Sequence, residues 1–467
     1  MSDHPSLMMA NDEELQAAQR NYQAAQAAFA RGDDDSTVSW CRQALVAVQQ
    51  HPTSEPHNRL CVEATDLLLE VARQRGAQHL SLTELLDAAE TAAARAGDPG
   101  LQARIRRQHA LLLLRANSRA AAVQMLQEAL ALAEQAGDAT LEFMILSELG
   151  HCLVGEDLAC GLILQRQAYA IYETRLADTH ADSLHVRRLL HALQARIGVN
   201  EFDLGNYDVA LNRLIQSVEG MRHTGMRADL PWALNYLAQV YVATGRFEEA
   251  EAVLREAIML PDDRDADPTR SNNLALLGKL YVEWERVNDA DEPMRRGWAE
   301  AHAAWHVGLA PLVRNYYAEL LMHPDYRQRD LTAAEEQLTM NLSETLASAF
   351  HRSEIQALSL RGRLALMQGN RDAALRYSAE AVAYLERMGT MPALRTEEIL
   401  WNHACVLQAA GRAADARRYL EQAHAVVQRK AGSIADPTQR ANFLGRVPLS
   451  REIVAAYKTW IGPIPQP

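Results

Sequence analysis

A repeated arrangement of small and large apolar residues limits what this chain can fold into. In residues 231–261, large apolar side chains stand at the fourth, seventh and eleventh positions, and alanine stands at the eighth, twentieth and twenty-seventh. Gly245 occupies the fifteenth position, where a helix would have to end and the chain would have to turn. Small side chains let two helices approach closely, and large ones fill the space beside them. The pattern therefore predicts a pair of antiparallel helices.

The same arrangement recurs along the chain at intervals of about 40 residues. Four further copies agree at several positions, and the remaining copies are degraded but recognisable. Matching small residues in those four copies include Gly198 and Gly205, Gly278 and Ala290, Gly362 and Gly369, and Ala404 and Gly411. Counting the weaker copies, we predict ten helical pairs from about residue 13 to 430.

This pattern resembles the tetratricopeptide repeat, although the family's usual spacing is about 34 residues. The longer spacing of the repeats and the residue pattern of 436–460 resemble the repeat regions of bacterial ATPase-linked, cyclase-linked and MalT-like regulators. The resemblance implies an all-α fold, a right-handed superhelical solenoid of about ten hairpins with C-terminal capping helices. Those regulators carry a separate catalytic or DNA-binding domain, for which we expect no room in these 467 residues.

The quality of the repeats divides the chain into four predicted segments. In the tail, an Asp-Pro start, a short amphipathic stretch and Pro448 predict two short helices that cap the last repeat. The predicted segments are a flexible N-terminus (1–12), degenerate hairpins (13–180), better-matching hairpins (181–430), and capping helices with the tail (431–467).

Composition and charge exclude several classes of protein. A formal charge of −13 repels phosphate backbones and anionic membranes, so we expect neither a nucleic-acid nor a membrane partner. Neither a signal peptide nor a long apolar run is visible, which predicts a cytoplasmic protein. The five cysteines have no CxxC spacing and lie among apolar residues, which predicts buried, reduced thiols.

Residue patterns that mark the common catalytic and metal sites are missing. The sequence contains no Walker A loop, GxGxxG after a strand, GxSxG or HExxH, so we expect no cofactor and no enzymatic activity. His302 and His306 have metal-ligand spacing but lack a third ligand, and His109 stands at a core-facing position. Pro293 is expected to interrupt the second helix of the seventh hairpin.

The sites that we predict lie on the first helices of the hairpins. In tetratricopeptide proteins the second, fifth, ninth, twelfth and thirteenth positions face the concave side. Amides there can pair with the backbone of an extended peptide, cations can hold carboxylates, and tryptophan can receive apolar side chains. Carrying these positions over gives Arg104, Arg107, His151, Trp232, Asn235, Gln239, Asn272, Lys279, Asn315, Gln356, Arg363 and Trp401.

We therefore predict a non-catalytic scaffold or adaptor, with a regulatory role, that binds a protein or peptide partner in its concave groove. The alternative is a ligand-sensing regulator, in which a signalling peptide or small molecule fills the superhelix and changes its curvature. The sequence leaves homo-oligomerisation open.

Overall fold

The protein is described by a computed structural model covering residues 4–49, 54–75, 82–116, 118–154, 157–178, 183–260, 268–303, 310–348, 351–389 and 394–462. Within these ranges the regular structure is helical throughout, and no strand occurs. The chain divides into two compact units, Met1–Leu193 (unit 1) and Gln194–Pro467 (unit 2). No described helix combines the length and the apolar character needed to cross a membrane.

Unit 1 is built from four consecutive helical pairs, and the boundary with unit 2 falls inside a ninth helix. The helices are α1 (His4–Ala30), α2 (Asp34–Gln49), α3 (Glu55–Arg75), α4 (Leu82–Ala96), α5 (Pro99–Arg115), α6 (Arg119–Ala136), α7 (Ala139–Leu153), α8 (Leu158–Ile171) and, across the boundary, α9 (Leu184–Leu204).

Unit 2 continues with six pairs, the first of which is α9 with α10, and ends in two short helices. They are α10 (Tyr207–Thr224), α11 (Leu230–Ala243), α12 (Phe247–Met259), α13 (Pro268–Glu283), α14 (Asp291–Ala303), α15 (Ala310–Met322), α16 (Leu331–Ser348), α17 (His351–Met367), α18 (Arg371–Met388), α19 (Thr396–Ala409), α20 (Ala413–Gly432), α21 (Pro437–Gly445) and α22 (Pro448–Trp460). The predicted ten hairpins with capping helices are thus confirmed.

The small residues of the repeat lie at the contact between paired helices, as the sequence predicts. Ala238 and Ala250 are fully buried between the paired helices α11 and α12. Gly245 joins them with a φ of 73°, a left-handed conformation that glycine adopts without steric cost. Glu285 stands at the equivalent turn of the next pair and adopts a φ of 60°, the one non-glycine residue in the described chain with a positive φ.

The tail forms the two predicted capping helices. Asp436 caps α21, accepting hydrogen bonds from the backbone N–H groups of Thr438 (2.7 Å) and Gln439 (3.4 Å). Pro448 begins α22, because proline lacks only an N–H that has no acceptor in a first helical turn. Phe443 and Ile453 bury their side chains in the same apolar cluster as Leu420 of α20, so the tail covers the last hairpin.

Three local predictions from the sequence need correction. Pro293 does not interrupt a helix, because a short 3-10 turn precedes α14 and the proline falls in the first turn of that helix. Cys160 is exposed on α8, whereas Cys41, Cys61 and Cys152 are buried as expected and Cys405 is partly buried. His109 is half-buried rather than a core residue, and its Nδ1 lies 2.6 Å from Glu90 Oε1.

We expect Gly150→Ala to lower the free energy of unfolding by about 1–3 kcal/mol. A β-carbon on Gly150 would lie 2.7 Å from the carbonyl oxygen of Gly161, so α7 and α8 would have to separate. Gly432→Ala is the control, because a β-carbon there meets nothing within 4 Å. Urea unfolding measures both variants, and an equal loss in the two would contradict the close approach of α7 and α8.

Candidate functional site

The first helices of the hairpins in unit 2 all face one cavity, which we call the inner cavity. Its empty volume is about 1060 Å³, including space open to solvent. The helices α9, α11, α13, α15, α17 and α19 each contribute side chains, and the C-terminal segment completes the wall. The polar and charged members of the lining are Asp203, Tyr207, Gln239, Lys279, Glu283, Tyr316, Arg352, Gln356, Arg395, Glu397, Glu398, Lys430 and Ser450.

Contacts between the beginning and the end of unit 2 lie beside this cavity, whose lining includes Tyr207 and Lys430. Ser433, just after α20, donates to the carbonyl oxygen of Gly205 (2.6 Å) and accepts from the N–H of Tyr207 (3.1 Å). The N–H of Ala435 donates to Asp208 Oδ2 (2.6 Å). These bonds tie the α9–α10 turn to the last hairpin. The tail therefore both caps the last repeat and contacts the first hairpin of the unit.

Ion pairs neutralise most of the charge inside the cavity. Lys279 Nζ lies 2.6 Å from Glu319 Oε1 and 3.1 Å from Glu283 Oε1. Arg395 Nη1 lies 2.6 Å from Glu283 Oε1, and on α20 Lys430 Nζ lies 2.7 Å from a Glu397 oxygen. Burial alone would lower the pKa of Lys279, but the charges of Glu319 and Glu283 outweigh it and raise that pKa.

The surroundings shift the pKa values of two carboxyl groups in this network in opposite directions. Burial acts to raise the pKa of Glu283, but Arg395 and Lys279 outweigh it and hold that pKa at about 2. The pKa of Glu398 is raised, first by burial and then by the negative charge of Glu319. Arg395 is its nearest cationic partner, at 3.8 Å. Glu283 is thus stabilised as a carboxylate, while Glu398 is shifted towards its neutral form.

A second cavity lies on the other side of the same ion pairs, and Glu283, Arg395 and Glu398 line both cavities. Its empty volume is about 1430 Å³, including space open to solvent. Six carboxylates but only three arginines line it, so it is the more acidic of the two. The charged and aromatic members are Glu283, Glu285, Glu319, His323, Asp325, Arg363, Arg395, Glu398, Trp401, Arg451 and Glu452.

Five of the residues predicted to form the groove line these cavities. Gln239, Lys279 and Gln356 face the inner cavity. Arg363 and Trp401 face the second cavity, where Trp401 Nε1 donates to Glu452 Oε2 (3.2 Å). Only Lys279 among the five is buried, and two carboxylates bind it.

Two of the predicted asparagines are buried between helices. Asn235 is 1% exposed and donates to Asn273 Oδ1 on α13 (2.7 Å). Asn315 is fully buried and donates to the carbonyl oxygen of Ser353 (3.0 Å) and to Gln356 Oε1 (3.2 Å). Each amide thus joins one hairpin to the next, which a buried polar group must do to avoid an unsatisfied donor.

The arginines predicted in unit 1 are also paired. Arg107 is 2% exposed and lies between Glu70 (3.2 Å) and Glu148 (2.5 Å). Arg104 lies 2.7 Å from Asp138 and 3.5 Å from Asp66. Both arginines therefore bridge α5 to the neighbouring hairpins.

The three remaining predicted residues are scattered. His151 is exposed near the end of α7. Trp232 is half-buried, with its ring centroid 5.1 Å from that of Tyr236, and Asn272 is half-buried on α13. None of the three lines the inner or the second cavity as described.

Several residues of the two cavities were not predicted from the sequence, for identifiable reasons. Glu283, Glu319 and Glu398 stand at the thirteenth, ninth and second positions of their repeats, which face inward by the rule stated above. Acidic side chains were not among the residue types expected to bind a peptide, so these glutamates were not predicted. Arg352 precedes the first position of its repeat by one helical turn, and the 34-residue numbering does not reach it. The 40-residue spacing of the repeats could have indicated such a position, because the additional residues lengthen the inner helix.

The described residues contain no group of three His, Cys, Asp or Glu side chains placed to hold a metal ion. His302 stacks on Trp298, with ring centroids 5.4 Å apart. His306 and the residues around it lie outside the described part of the chain.

Comparison of the sequence with protein families gives two matches. The tetratricopeptide repeat family matches residues 186–260, which span α9 to α12. The family of anaphase-promoting complex subunit 5 matches residues 107–151. Comparison with curated proteins gives no match.

Solved structures show the same fold at low sequence identity. The quorum sensor NprR from B. thuringiensis, in its apo form, aligns with a TM-score of 0.57 at 13% identity, covering 79% of this chain and 98% of that one. A Rap protein complexed with competence and sporulation factor aligns with 0.55 at 12%, covering 81% and 99%. Aspartyl phosphate phosphatase F from Bacillus subtilis aligns with 0.51 at 14%, covering 80% and 96%. The ten helical pairs and their small-residue packing agree with this fold, and residues 186–260 match the tetratricopeptide repeat.

Proposed function

We propose that this protein is a non-catalytic regulator that binds a short peptide in the inner cavity of unit 2. The observation that carries the proposal is a cavity bordered by six inner helices, with hydrogen bonds between the α9–α10 turn and Ser433 beside it. Its empty volume of about 1060 Å³ includes space open to solvent, so an extended peptide segment can enter it from outside.

The lining suits such a ligand. Gln239 and Gln356 carry amides that can pair with a peptide backbone. Leu276, Leu312 and Phe202 supply apolar surface for its side chains. Among proteins with the same fold, one is described as a quorum sensor and another is complexed with competence and sporulation factor. These neighbours support a ligand-responsive regulator over an adaptor for long protein segments.

The test is selection of peptides from synthetic pools on the full-length chain. We expect a pool of random pentapeptides, with both free and amidated ends, to yield retained sequences, and a pool of 15-residue peptides to yield far fewer. Ala243→Trp places a large side chain in the inner cavity and should abolish retention. Ala252→Trp is the control, because Ala252 is exposed on α12 of the same hairpin.

Two outcomes would overturn this proposal. One is failure of the wild-type chain to retain any pentapeptide. The other is retention that Ala243→Trp leaves unchanged, which would move the site away from the inner cavity. Asn235 and Asn315 are unsuitable for this test, since their replacement would break hydrogen bonds between hairpins and change stability as well as binding.

A further inference from the structure

A buried carboxylate in the second cavity lacks a hydrogen-bond donor. Glu398, in the first turn of α19, is 6% exposed and lines both cavities. No described residue donates a hydrogen bond to its carboxylate, and its ion pair with Arg395 spans 3.8 Å. A carboxylate withdrawn from water without donors is unfavourable, so a ligand that donates hydrogen bonds would stabilise this position.

Glu319 of α15 has a free acceptor in the same cavity. Its Oε1 lies 2.6 Å from Lys279 Nζ, whereas its Oε2 is buried and has no hydrogen-bond partner in the described chain. Burial, and then the negative charge of Glu319, raise the pKa of Glu398. Arg395 and Lys279 act in the opposite direction and are outweighed. The cations in place therefore do not compensate these two carboxylates.

The lining of the second cavity carries an excess of negative charge. Its three arginines face six carboxylates, and Lys279 adds one cation from the side of the inner cavity. Four positive charges against six negative ones leave two negative charges in excess. Burial lowers the pKa of His323, so this residue adds no positive charge at pH 7. A ligand with two positive charges would balance the lining.

The residues near Glu398 supply the rest of a site for such a ligand. Trp401 follows Glu398 by three positions on α19, so the two lie on one face of the helix, with β-carbons about 5–6 Å apart. Trp401 donates to Glu452 of α22, which is exposed and has no cation at ion-pair distance among the described residues. An aromatic face attracts a cation and covers the methylene groups beside it. Trp401 thus adjoins two separate anionic positions.

We propose that the second cavity binds a free alkyl diamine, with one ammonium held by Glu398 and Glu319 and the other by Glu452. This inference goes beyond the proposed function, because the ligand is not the peptide and occupies a different cavity. An ammonium has three N–H donors and no acceptor, which suits carboxylate oxygens that lack donors. No three metal-binding side chains converge in the described part of the chain, so an organic cation fits this site better than a metal ion.

The experiment titrates four probes into the full-length chain in a calorimeter at constant ionic strength. Putrescine is a four-carbon diamine, which suits anionic positions about one helical turn apart. N-acetyl-lysine amide carries a single ammonium, as the side chain of a peptide would. Butanediol has the length of putrescine without its charge, and magnesium chloride tests for a metal site.

We expect putrescine to bind at least about tenfold more tightly than the lysine derivative, which has no second ammonium for Glu452. Butanediol and magnesium should give no binding heat. Glu398→Gln keeps the size of the side chain and should lower the affinity for putrescine at least about tenfold. Glu421→Gln, on the exposed face of α20, is the matched control and should leave that affinity unchanged. Thermal unfolding checks that both variants keep the fold.

Four results would overturn the inference. The first is the absence of putrescine binding to the wild-type chain, which involves no substitution. The second is equal or tighter binding of the lysine derivative, since the cation would then come from a side chain. The others are magnesium binding as tight as that of putrescine, and an unchanged putrescine affinity in Glu398→Gln. Each leaves the proposed function standing, because that depends on pentapeptide retention and on Ala243→Trp.

Discussion

Replacing Arg107 with methionine is expected to lower the free energy of unfolding by about 3–5 kcal/mol, because two carboxylates would remain in the core of unit 1 without a counter-ion. Arg107 is 2% exposed and lies 3.2 Å from Glu70 and 2.5 Å from Glu148. Burial acts to lower the pKa of Arg107, but the two glutamates outweigh it and raise that pKa. Urea unfolding followed by circular dichroism measures the loss.

The neighbouring residue on α5 provides the control. Arg106 has a side chain 37% exposed and a carboxylate, that of Glu128, 3.5 Å away, so Arg106→Met should cost less than about 1 kcal/mol. Adding Glu70→Gln and Glu148→Gln to Arg107→Met should restore part of the stability, since no charge is then left unpaired. A similar loss for Arg106→Met and Arg107→Met would argue against a buried ionic core.

The fold could be predicted from the sequence because tetratricopeptide packing depends on local spacing. Ala238 and Ala250 stand where paired helices touch, and Gly245 stands where the chain must turn. Each of these constraints acts within one hairpin, so a single copy of the repeat already contains it. Glu285 shows the limit of such a prediction, because a glutamate there adopts the left-handed turn conformation that several other copies give to glycine.

The candidate site was only partly predictable, because it depends on contacts between distant parts of the chain. No local pattern indicates that Ser433 binds Gly205 and thereby joins the last hairpin to the first hairpin of unit 2. Gln239 and Gln356 stand at predicted inward-facing positions and line the inner cavity, while their role in binding stays a prediction. The same rule could not say that Asn315 would be buried and bonded to the next hairpin, since burial depends on how closely neighbouring inner helices approach.

The buried ions follow from the same geometry. Inner helices of successive hairpins lie side by side, so a lysine on α13 meets a glutamate on α15, as Lys279 meets Glu319 at 2.6 Å. In unit 1, Arg107 on α5 meets glutamates of α3 and α7 in the same way. Charged residues at inward positions therefore serve first to join hairpins.

Glu283→Gln is expected to lower the free energy of unfolding by roughly 3 kcal/mol at pH 7 and by clearly less at pH 3. Arg395 and Lys279 hold the pKa of Glu283 at about 2, below its ordinary value of 4.5, against the opposing effect of burial. A carboxyl group whose pKa is lower in the folded than in the unfolded protein stabilises the fold at pH values above its unfolded pKa. That contribution is lost as the pH falls from 4.5 towards 2, so the two proteins should converge in acid.

Glu292 supplies the matched control for this pH dependence. It lies on α14, with its side chain 68% exposed, and contacts Arg296 one turn away at 2.9 Å. Glu292→Gln removes the same charge but should change the free energy of unfolding by less than about 1 kcal/mol at either pH. Urea unfolding of the wild-type protein and both variants at pH 7, 5 and 3 measures this pH dependence. A Glu283→Gln deficit that stays constant across this range would mean that Glu283 is not held ionised by Arg395 and Lys279.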